Sequence, residues 1–342
     1  MSDTENKFLM QSSPHMVSSV DSKSLMRNML IALLPVSIFG VFIFGLYALL
    51  NIAVAAASAI VSESLFRLII KKPVRAWDFS SGVSGVLLAL VIPPTTPLWM
   101  TALGAAFGVI VAKEFFGGLG ANVFNPALIG RAFLLMSFPA HITTWKVPGQ
   151  TWFSMSADVV TGATPLGVIQ MGEGVAGVGS SFVNTGLSSS PSYWSTIQNL
   201  FFGFHGGSTG ETSAFLILAS CLFLLVTKTI DWRTPASMIA GGALAALALG
   251  MDPLFSVLAG GLLFGAVFMA TDYVTGPVTG KGRIIFGIGA GVIAMMIRKW
   301  GNYPEGVCYA ILIMNCVTPF LDKLLGKKYG FVRKKKDKGD AS

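Results

Sequence analysis

The residues best suited to chemistry lie in the segment 158–164, which reads DVVTGAT. A threonine hydroxyl such as that of Thr164 is a nucleophile that can accept a group in ester linkage when a second protein activates the donor. Gly162 and Ala163 remove side-chain bulk beside it, so the backbone can enter the pocket of a modifying enzyme. Asp158 adds a carboxylate to this segment, and Thr161 adds a second hydroxyl. Taken alone, such a string is more often a plain turn.

A second group of candidates lies in segments that are otherwise apolar. Asn125 and Pro126 form a corner that is followed by Arg131. An arginine at hydrocarbon depth costs at least about 3 kcal/mol, so its side chain should face protein, water or a phosphate. A contact with a bound group or partner and an interfacial position beside lipid headgroups both remain open. Glu63 and Arg67, four apart with the acid first, predict a helical ion pair rather than a group for ion passage.

Other sites receive little support from the sequence. The three cysteines lie singly in apolar segments and the three histidines are dispersed, so no metal site is predicted. The GxGxxG string at 172–177 follows no hydrophobic strand, and 276–281 lacks the spacing of a phosphate-binding loop. Asp252, Asp272 and Glu305 are expected to cap helices or to lie in water. No nucleophile and base stand together, so the isolated chain is not expected to turn over a substrate.

The composition is that of a membrane protein. Of the 342 residues, 53% are hydrophobic and 12% are charged, and the mean hydropathy is +0.69. A soluble domain carries roughly 25% charged residues. The net charge of +8 does not indicate nucleic acid, because eight of the 24 lysines and arginines lie in the last 20 positions. Such a tail is typical of a cytoplasmic segment beside anionic lipid.

Apolar runs bounded by Pro, Gly or charge predict an all-α polytopic fold with about ten transmembrane helices. The predicted spans are 28–46, 51–70, 80–93, 97–112, 123–138, 212–228, 235–250, 254–271, 284–298 and 305–322. The third to fifth spans are short and interrupted by PPTTP and GGLG, which is typical of broken helices around a pathway or cofactor site. Each half has five spans, an odd number, so a repeated fold would have to be inverted.

The polar segments predict the organisation and the orientation. The expected units are an amino-terminal segment without a signal peptide, a first membrane half, a polar loop, a second half and a basic tail, at 1–24, 25–138, 139–211, 212–322 and 323–342. The loop contains one lysine and no arginine. Because basic residues favour the cytoplasm, both termini are predicted to be cytoplasmic and the loop extracytoplasmic. Arg298 and Lys299 are the exception to this distribution.

Four strings together resemble the D subunit of the Rnf electron-transport complex: SSPHMVSSVDS at 12–22, GGLGANVFNPALIGRAFLL at 117–135, DVVTGATPLG at 158–167, and the stretch from TDYVTGPVTGKG to CVTPFLD at 271–322. They occur in order over nearly the whole chain. The related B subunit of the sodium-pumping NADH:quinone reductase shares the architecture. Pro165 after Thr164 and the short amino terminus favour the Rnf family.

The resemblance implies a bacterial inner-membrane subunit that carries electrons but has no nicotinamide or ferredoxin site of its own. Its complex would couple electron transfer between ferredoxin and NAD to movement of Na⁺ or H⁺. FMN would be esterified by a flavin transferase to Thr164 of a D-x-x-S-G-A-T motif, in which Thr161 here replaces the commoner serine. Asn125 and Arg131 would then contact a second, non-covalent flavin such as riboflavin, or a partner.

The implied partners are the A, B, C, E and G subunits and membrane lipid, with no nucleic acid. Two alternatives remain open at this point. One is the B-type subunit of the quinone reductase, and the other is a solute transporter or channel in which the inverted halves enclose a path and the 139–211 loop is a plug.

Overall fold

The structure is a computed structural model, and it describes residues 21–74, 76–145, 162, 164–170, 193–301 and 305–326. Within those ranges the chain forms helices and connecting loops, with no β-strand. The predicted all-α fold is therefore confirmed, and every one of the ten predicted spans contains helix.

Among the described residues, five principal helices lie in 22–138, three short helices lie in 139–211, and the remaining helices lie from 212 onward. The helices are α1 Ser22–Phe44, α2 Leu46–Ile69, α3 Ser80–Val91, α4 Leu98–Val109, α5 Pro126–Ser137, α6 Pro139–Ile142, α7 Pro165–Gln170, α8 Tyr193–Phe202, α9 Ala214–Val226, α10 Arg233–Ala248, α11 Pro253–Leu258, α12 Leu262–Phe264, α13 Gly280–Trp300 and α14 Val307–Leu325. A 3₁₀ turn covers Ala76–Asp78, and π-helical turns cover Ile110–Glu114 and Gly265–Met269.

Four helices in the described ranges, α1, α2, α13 and α14, are long and apolar enough to cross a membrane. The helices α3 and α5 have 12 residues each. Twelve residues rise only about 18 Å, less than a hydrocarbon core of about 30 Å. Loops must therefore complete the crossing at these two places, as expected for broken helices.

Glycine turns and π-helical turns produce the breaks. Pro93 to Pro97 separate α3 from α4, and the predicted GGLG break is confirmed, because Gly117, Gly118 and Gly120 have φ of 113°, 100° and 98°. Only glycine adopts such angles without strain. The eighth predicted span is less regular than expected, since it divides into α11, α12 and the turn Gly265–Met269.

Successive long helices run in opposite directions, so the bundle has two end faces. We call the end of the bundle that carries Ile69, Lys113, Asn125 and Asp272 the tail face, since α14 also ends there at Leu325. The opposite end, where α2 begins, α5 ends and α9 begins, is the loop face. Which face meets the cytoplasm stays a prediction from the charge distribution.

Small residues let the helices pack closely, as is common in membrane bundles. A Cβ on Gly85 of α3 would stand 2.5 Å from the carbonyl oxygen of Ala55 in α2. In the second half, a Cβ on Gly291 of α13 would collide with the backbone of α10 at Met238 and Gly242. These contacts fix the rigid frame that positions the polar groups described next.

Candidate functional site

The first buried polar cluster lies at the tail face, where the π-helical turn after α4 directs Lys113 inward. The Lys113 ammonium, 1% exposed, donates to Glu63 Oε1 at 3.0 Å, Ser80 Oγ at 2.6 Å and Ser81 Oγ at 2.9 Å. The Ser81 hydroxyl in turn donates to Glu63. All three donors of the ammonium are thus satisfied.

Arg67 completes this cluster. Its Nη2 lies 3.3 Å from Glu63 Oε1 and 2.9 Å from Glu114 Oε1, and its Nη1 donates to the carbonyl of Pro73 at 3.3 Å. The predicted Glu63–Arg67 ion pair is confirmed. The sequence did not indicate Lys113 and Glu114 as its partners. Two positive and two negative groups balance, so the cluster is built to hold α2, α3 and α4 together.

A cavity opens beside this cluster, between the two membrane halves. Its polar lining includes Asn122, Asn125, Asp272 and Lys113, and Phe268 belongs to its apolar wall. Asn125 Oδ1 accepts from the backbone of Ala127 at 3.0 Å and so caps α5 ahead of Pro126. The buried Asn122 Oδ1 has no hydrogen-bond partner among the described residues. An unpaired amide oxygen in an apolar-walled cavity indicates room for a polar ligand edge or water.

Asp272, at the rim of that cavity, is also held locally. It accepts from Val274 N at 3.3 Å and from Thr275 Oγ1 at 3.2 Å, so it closes a turn and does not cap a helix as predicted, because the next helix, α13, begins only at Gly280. Burial raises the pKa of Asp272 above its ordinary value, against these hydrogen bonds, which lower it. Asp252 does cap a helix, since it accepts from Phe255 N at 3.0 Å at the start of α11.

The second buried cluster joins Arg131 to two carboxylates on the loop-face side. Arg131 Nη2 donates to Glu305, and Nη1 lies 3.8 Å from Glu211 Oε1. Glu305 Oε1 also accepts from Gly261 N at 2.8 Å. Arg131, 6% exposed, therefore faces protein rather than lipid headgroups. Glu305 corrects a prediction, because it does not cap a helix or lie in water but pairs with the buried guanidinium.

Arg298 is one of the two exceptions to the charge distribution, and its burial accounts for it, whereas Lys299 is exposed. Arg298 lies near the end of α13 but is buried, and its Nη1 and Nη2 donate to the carbonyls of Ser256 and Ala259 at 2.5 and 3.2 Å. Those carbonyls belong to the end of α11, which has no following turn to satisfy them. Arg298 is therefore a structural donor rather than a charge that orients the chain.

Thr164 lies next to this second cluster. It is half-buried at the start of α7, where its Oγ1 accepts from Gly167 N at 3.2 Å and its carbonyl accepts from Val168 N at 3.0 Å. Gly162 N donates to the carbonyl of Trp145 at 3.2 Å. Asp158, Thr161 and Ala163 lie outside the described residues.

A small cavity connects Thr164 to the carboxylates. Its lining comprises Trp145, Thr164, Pro165, Leu166, His205, Gly206, Gly207, Glu211, Gly260 and Glu305. The sequence placed Thr164 in an exposed loop and did not associate it with Arg131. The signal that was missed is the segment 203–213, GFHGGSTGETS, in which almost every residue is buried. A polar string that the fold buries so completely must contact other polar groups.

The electrostatics of the loop-face cluster differ between its two acids. Burial raises the pKa of Glu211 well above its ordinary value, and the charge of Glu305 raises it further. Burial also acts to raise the pKa of Glu305, but the charge of Arg131 and the hydrogen bond from Glu211 outweigh it and leave that pKa low. Burial lowers the pKa of His205, which is neutral as a result. Glu305 is thus the acid favoured as a charged carboxylate, and Glu211 is the acid favoured with a proton bound.

The fold and these two clusters define a multi-pass membrane protein with paired buried polar sites. The chain matches the model of the NQR2, RnfD, RnfE family over residues 9–330. It is similar to the D subunit of the Na(+)-translocating ferredoxin:NAD(+) oxidoreductase complex of Acetobacterium woodii, with 40% identity covering 97% of this chain and 98% of the relative. It is also similar to the proton-translocating counterpart of Clostridium ljungdahlii, 40% identical over 93% and 95% of the two chains. The D subunit of the ion-translocating oxidoreductase complex of Stutzerimonas stutzeri is 38% identical over 90% and 91%. The chain belongs to the NQR2, RnfD, RnfE family, and within it to the RnfD type.

Proposed function

We propose that this protein is the D subunit of an ion-translocating ferredoxin:NAD oxidoreductase complex and that it carries FMN esterified to Thr164. The relatives named above are D subunits of such complexes. The chain contributes electron transfer and membrane scaffold to the complex. Its partners are the other subunits of the Rnf complex, a flavin transferase during maturation, and lipid.

The surroundings of Thr164 fit a phosphate ester. The hydroxyl oxygen is at the edge of a cavity and accepts only the Gly167 amide among the hydrogen bonds described, a bond that an ester oxygen can keep. Arg298 Nη2 approaches Gly260 in the same cavity wall, since a Cβ there would stand 3.2 Å from it. The charged residues that line the cavity are Glu211 and Glu305. The guanidinium groups of Arg131 and Arg298 beside them balance their two charges. When bound, the flavin supplies one- and two-electron redox chemistry that the side chains lack.

The site we assign to a second, non-covalent flavin, such as riboflavin, is the mouth of the tail-face cavity, whose enclosed volume of about 50 Å³ holds only one edge of the molecule. Asn122 offers an unpaired amide oxygen, Asn125 lies at the helix start, and Phe268 supplies an apolar wall. A flavin ring needs such a mixture, because its faces are apolar and its edge carries donors and acceptors. Arg131 does not line this cavity. It contacts Glu211 and Glu305 on the loop-face side instead, so it is not proposed as a contact of the second flavin.

The orientation and the coupling ion complete the proposal. The termini lie in the cytoplasm and the 139–211 loop outside, as the distribution of basic residues predicts. The transported ion is Na⁺ or H⁺, and the names of two relatives of equal identity divide between these.

The attachment is tested by expressing the chain together with a flavin transferase and recording flavin fluorescence on a denaturing gel. We expect a fluorescent band that Thr164→Ala abolishes. Thr143→Ala is the matched control, because it removes an exposed hydroxyl on the loop face that is bonded only to the carbonyl of Pro139. Fluorescence that survives Thr164→Ala would place the ester elsewhere.

Absence of fluorescence in all variants would instead favour a solute transporter or channel. The short α3 and α5 and the broken α11–α12 segment are compatible with that class. The subunits that co-purify would separate an Rnf complex from the quinone reductase.

A further inference from the structure

Two buried carboxyl groups converge at Gly261, at the junction of α11 and α12. A Cβ on Gly261 would collide with one oxygen of Glu305 and one oxygen of Glu211. Both residues are almost fully removed from solvent, with side chains 4% and 10% exposed for Glu211 and Glu305. Two carboxylates so close cannot both be ionised without a large repulsion, so such pairs hold a proton between them.

The two acids are held unequally. Glu305 accepts from Arg131 and from Gly261 N, whereas Glu211 Oε1 makes no hydrogen bond within the described part of the chain and is 3.8 Å from Arg131. Glu305 therefore keeps the negative charge. Glu211 is the group left to bind or release a proton.

The other titratable and charged groups around Glu211 come from three helices and two loops. Arg131 from α5 and Arg298 from α13 are positive, Glu305 is negative, and His205 on the same loop is neutral. Cys308 on α14 donates its thiol to the carbonyl of Leu128 at 3.4 Å and so stays protonated. With Glu211 ionised the cluster is neutral, and with Glu211 protonated it carries one positive charge.

Both acids of this cluster line the cavity in which Thr164 lies, and Arg298 approaches its wall at Gly260. We propose that Glu211 is a proton-binding site that takes up one proton when negative charge is added to the group on Thr164 and releases it when that charge leaves. The inference rests on the proposed function for its link to Thr164. The convergence of the two acids at Gly261 stands without that link.

The step balances in charge. A flavin on Thr164 would receive one electron from a one-electron carrier of the complex, such as an iron–sulfur centre or another flavin. One proton enters from water at the loop face and forms an O–H bond on the Glu211 carboxylate. When the electron passes on, that O–H bond breaks and the proton returns to water. In a dry, low-dielectric cluster this neutralisation favours electron entry more than it would in water.

The proton is observable by infrared spectroscopy on the full chain in detergent, with ¹³C-labelled glutamate to separate its carbonyl stretch from those of the flavin. In unflavinylated Thr164→Ala we expect a carboxylic-acid band that titrates above the ordinary glutamate range of about 4.3 and disappears with Glu211→Gln. The matched control is Glu114→Gln, which removes a buried carboxylate from the tail-face cluster and should leave the band unchanged. No such band in Thr164→Ala overturns the shared proton.

The link to Thr164 has its own readout, the midpoint potential of the covalent flavin against pH. One proton per electron gives a tenfold change of the equilibrium constant per pH unit, about 59 mV. We expect part of that slope to vanish in Glu211→Gln and to persist in Glu114→Gln, with the acid band rising on reduction of the wild type. Equal slopes in all three proteins, or a potential that follows sodium instead of pH, overturn the link. A missing fluorescent band refutes the attachment at Thr164, while the infrared test still decides the shared proton.

Discussion

Removal of Lys113 should destabilise the protein strongly, and removal of Glu63 together with it should restore much of the loss. Lys113→Met keeps the length of the side chain but deletes the ammonium that donates to Glu63, Ser80 and Ser81. Among the described residues, Glu63, 1% exposed, then keeps the Ser81 hydroxyl as a donor and Arg67 at 3.3 Å as its one cation, which it shares with Glu114. The cluster then holds two carboxylates and one guanidinium, so one buried negative charge is not balanced.

The magnitude follows from that uncompensated charge. Breaking a buried ion pair by deleting one partner costs about 3–5 kcal/mol, whereas replacing both partners with neutral groups is often nearly neutral. We expect about 3–5 kcal/mol for Lys113→Met and for Glu63→Gln alone, and about 1–2 kcal/mol for the double variant, which keeps the Arg67–Glu114 pair. The coupling energy, the sum of the two single losses minus the loss in the double variant, is then about 4 kcal/mol or more, roughly a thousandfold in the unfolding constant.

The measurement is a double-mutant cycle from reversible unfolding in mixed micelles, followed by tryptophan fluorescence and circular dichroism. Arg283→Met serves as control, because its pair with Asp231 at 2.6 Å is partly exposed, at 35% and 23%, and such pairs contribute at most about 1 kcal/mol. Additive losses for Lys113→Met and Glu63→Gln, within about 0.5 kcal/mol, would refute the buried-pair reasoning.

Three further predictions concern packing, cofactor content and pH. Gly85→Ala should cost about 1–3 kcal/mol by forcing α2 and α3 apart. Gly82→Ala on the same helix should be neutral or stabilising, because the nearest atom to its new Cβ is Ile60 Cδ1 at 3.7 Å. Equal thermal stability of the two variants would contradict this. Asn125→Ala should lower the content of non-covalent flavin measured after acid extraction. Ser213→Ala also loses an N-cap but should leave that content unchanged. Equal losses of flavin in the two variants would assign the effect to the loss of a helix cap. Because the pKa of Glu211 is raised in the folded state, its contribution is complete below the unfolded pKa of about 4.3 and is lost as the pH rises through the folded pKa. Glu211→Gln should therefore lose less stability than the wild type over that rise, and identical pH profiles of unfolding would count against a protonated Glu211.

Sequence reasoning located the helices well because hydrophobic length and glycine breaks are local properties. The apolar runs, the PPTTP and GGLG interruptions and the Glu63–Arg67 spacing each depend on neighbouring residues, and the structure contains all of them.

The buried clusters were less accessible to such reasoning, because their members are far apart in the chain. Arg131 meets Glu305 from 174 positions away, and Lys113 meets Glu63 from 50. A single sequence gives each charge but not its partner, so Glu305 resembled an exposed cap and His205 an isolated histidine. The attachment at Thr164 is a prediction that depends on family resemblance, with the cavity around it as its structural support.

The shortness of α5 has an electrical consequence. Positions 125 and 131 are separated by six residues of one helix, about 9 Å of rise, yet Asn125 lines the tail-face cavity and Arg131 contacts the loop-face acids. If both sites are wetted from their own sides, a transmembrane voltage falls mainly across this thin dry layer rather than across the full bilayer. Each elementary charge that crosses it would experience most of about 2.3 kcal/mol per 100 mV, so a short displacement here could couple to nearly the whole membrane potential.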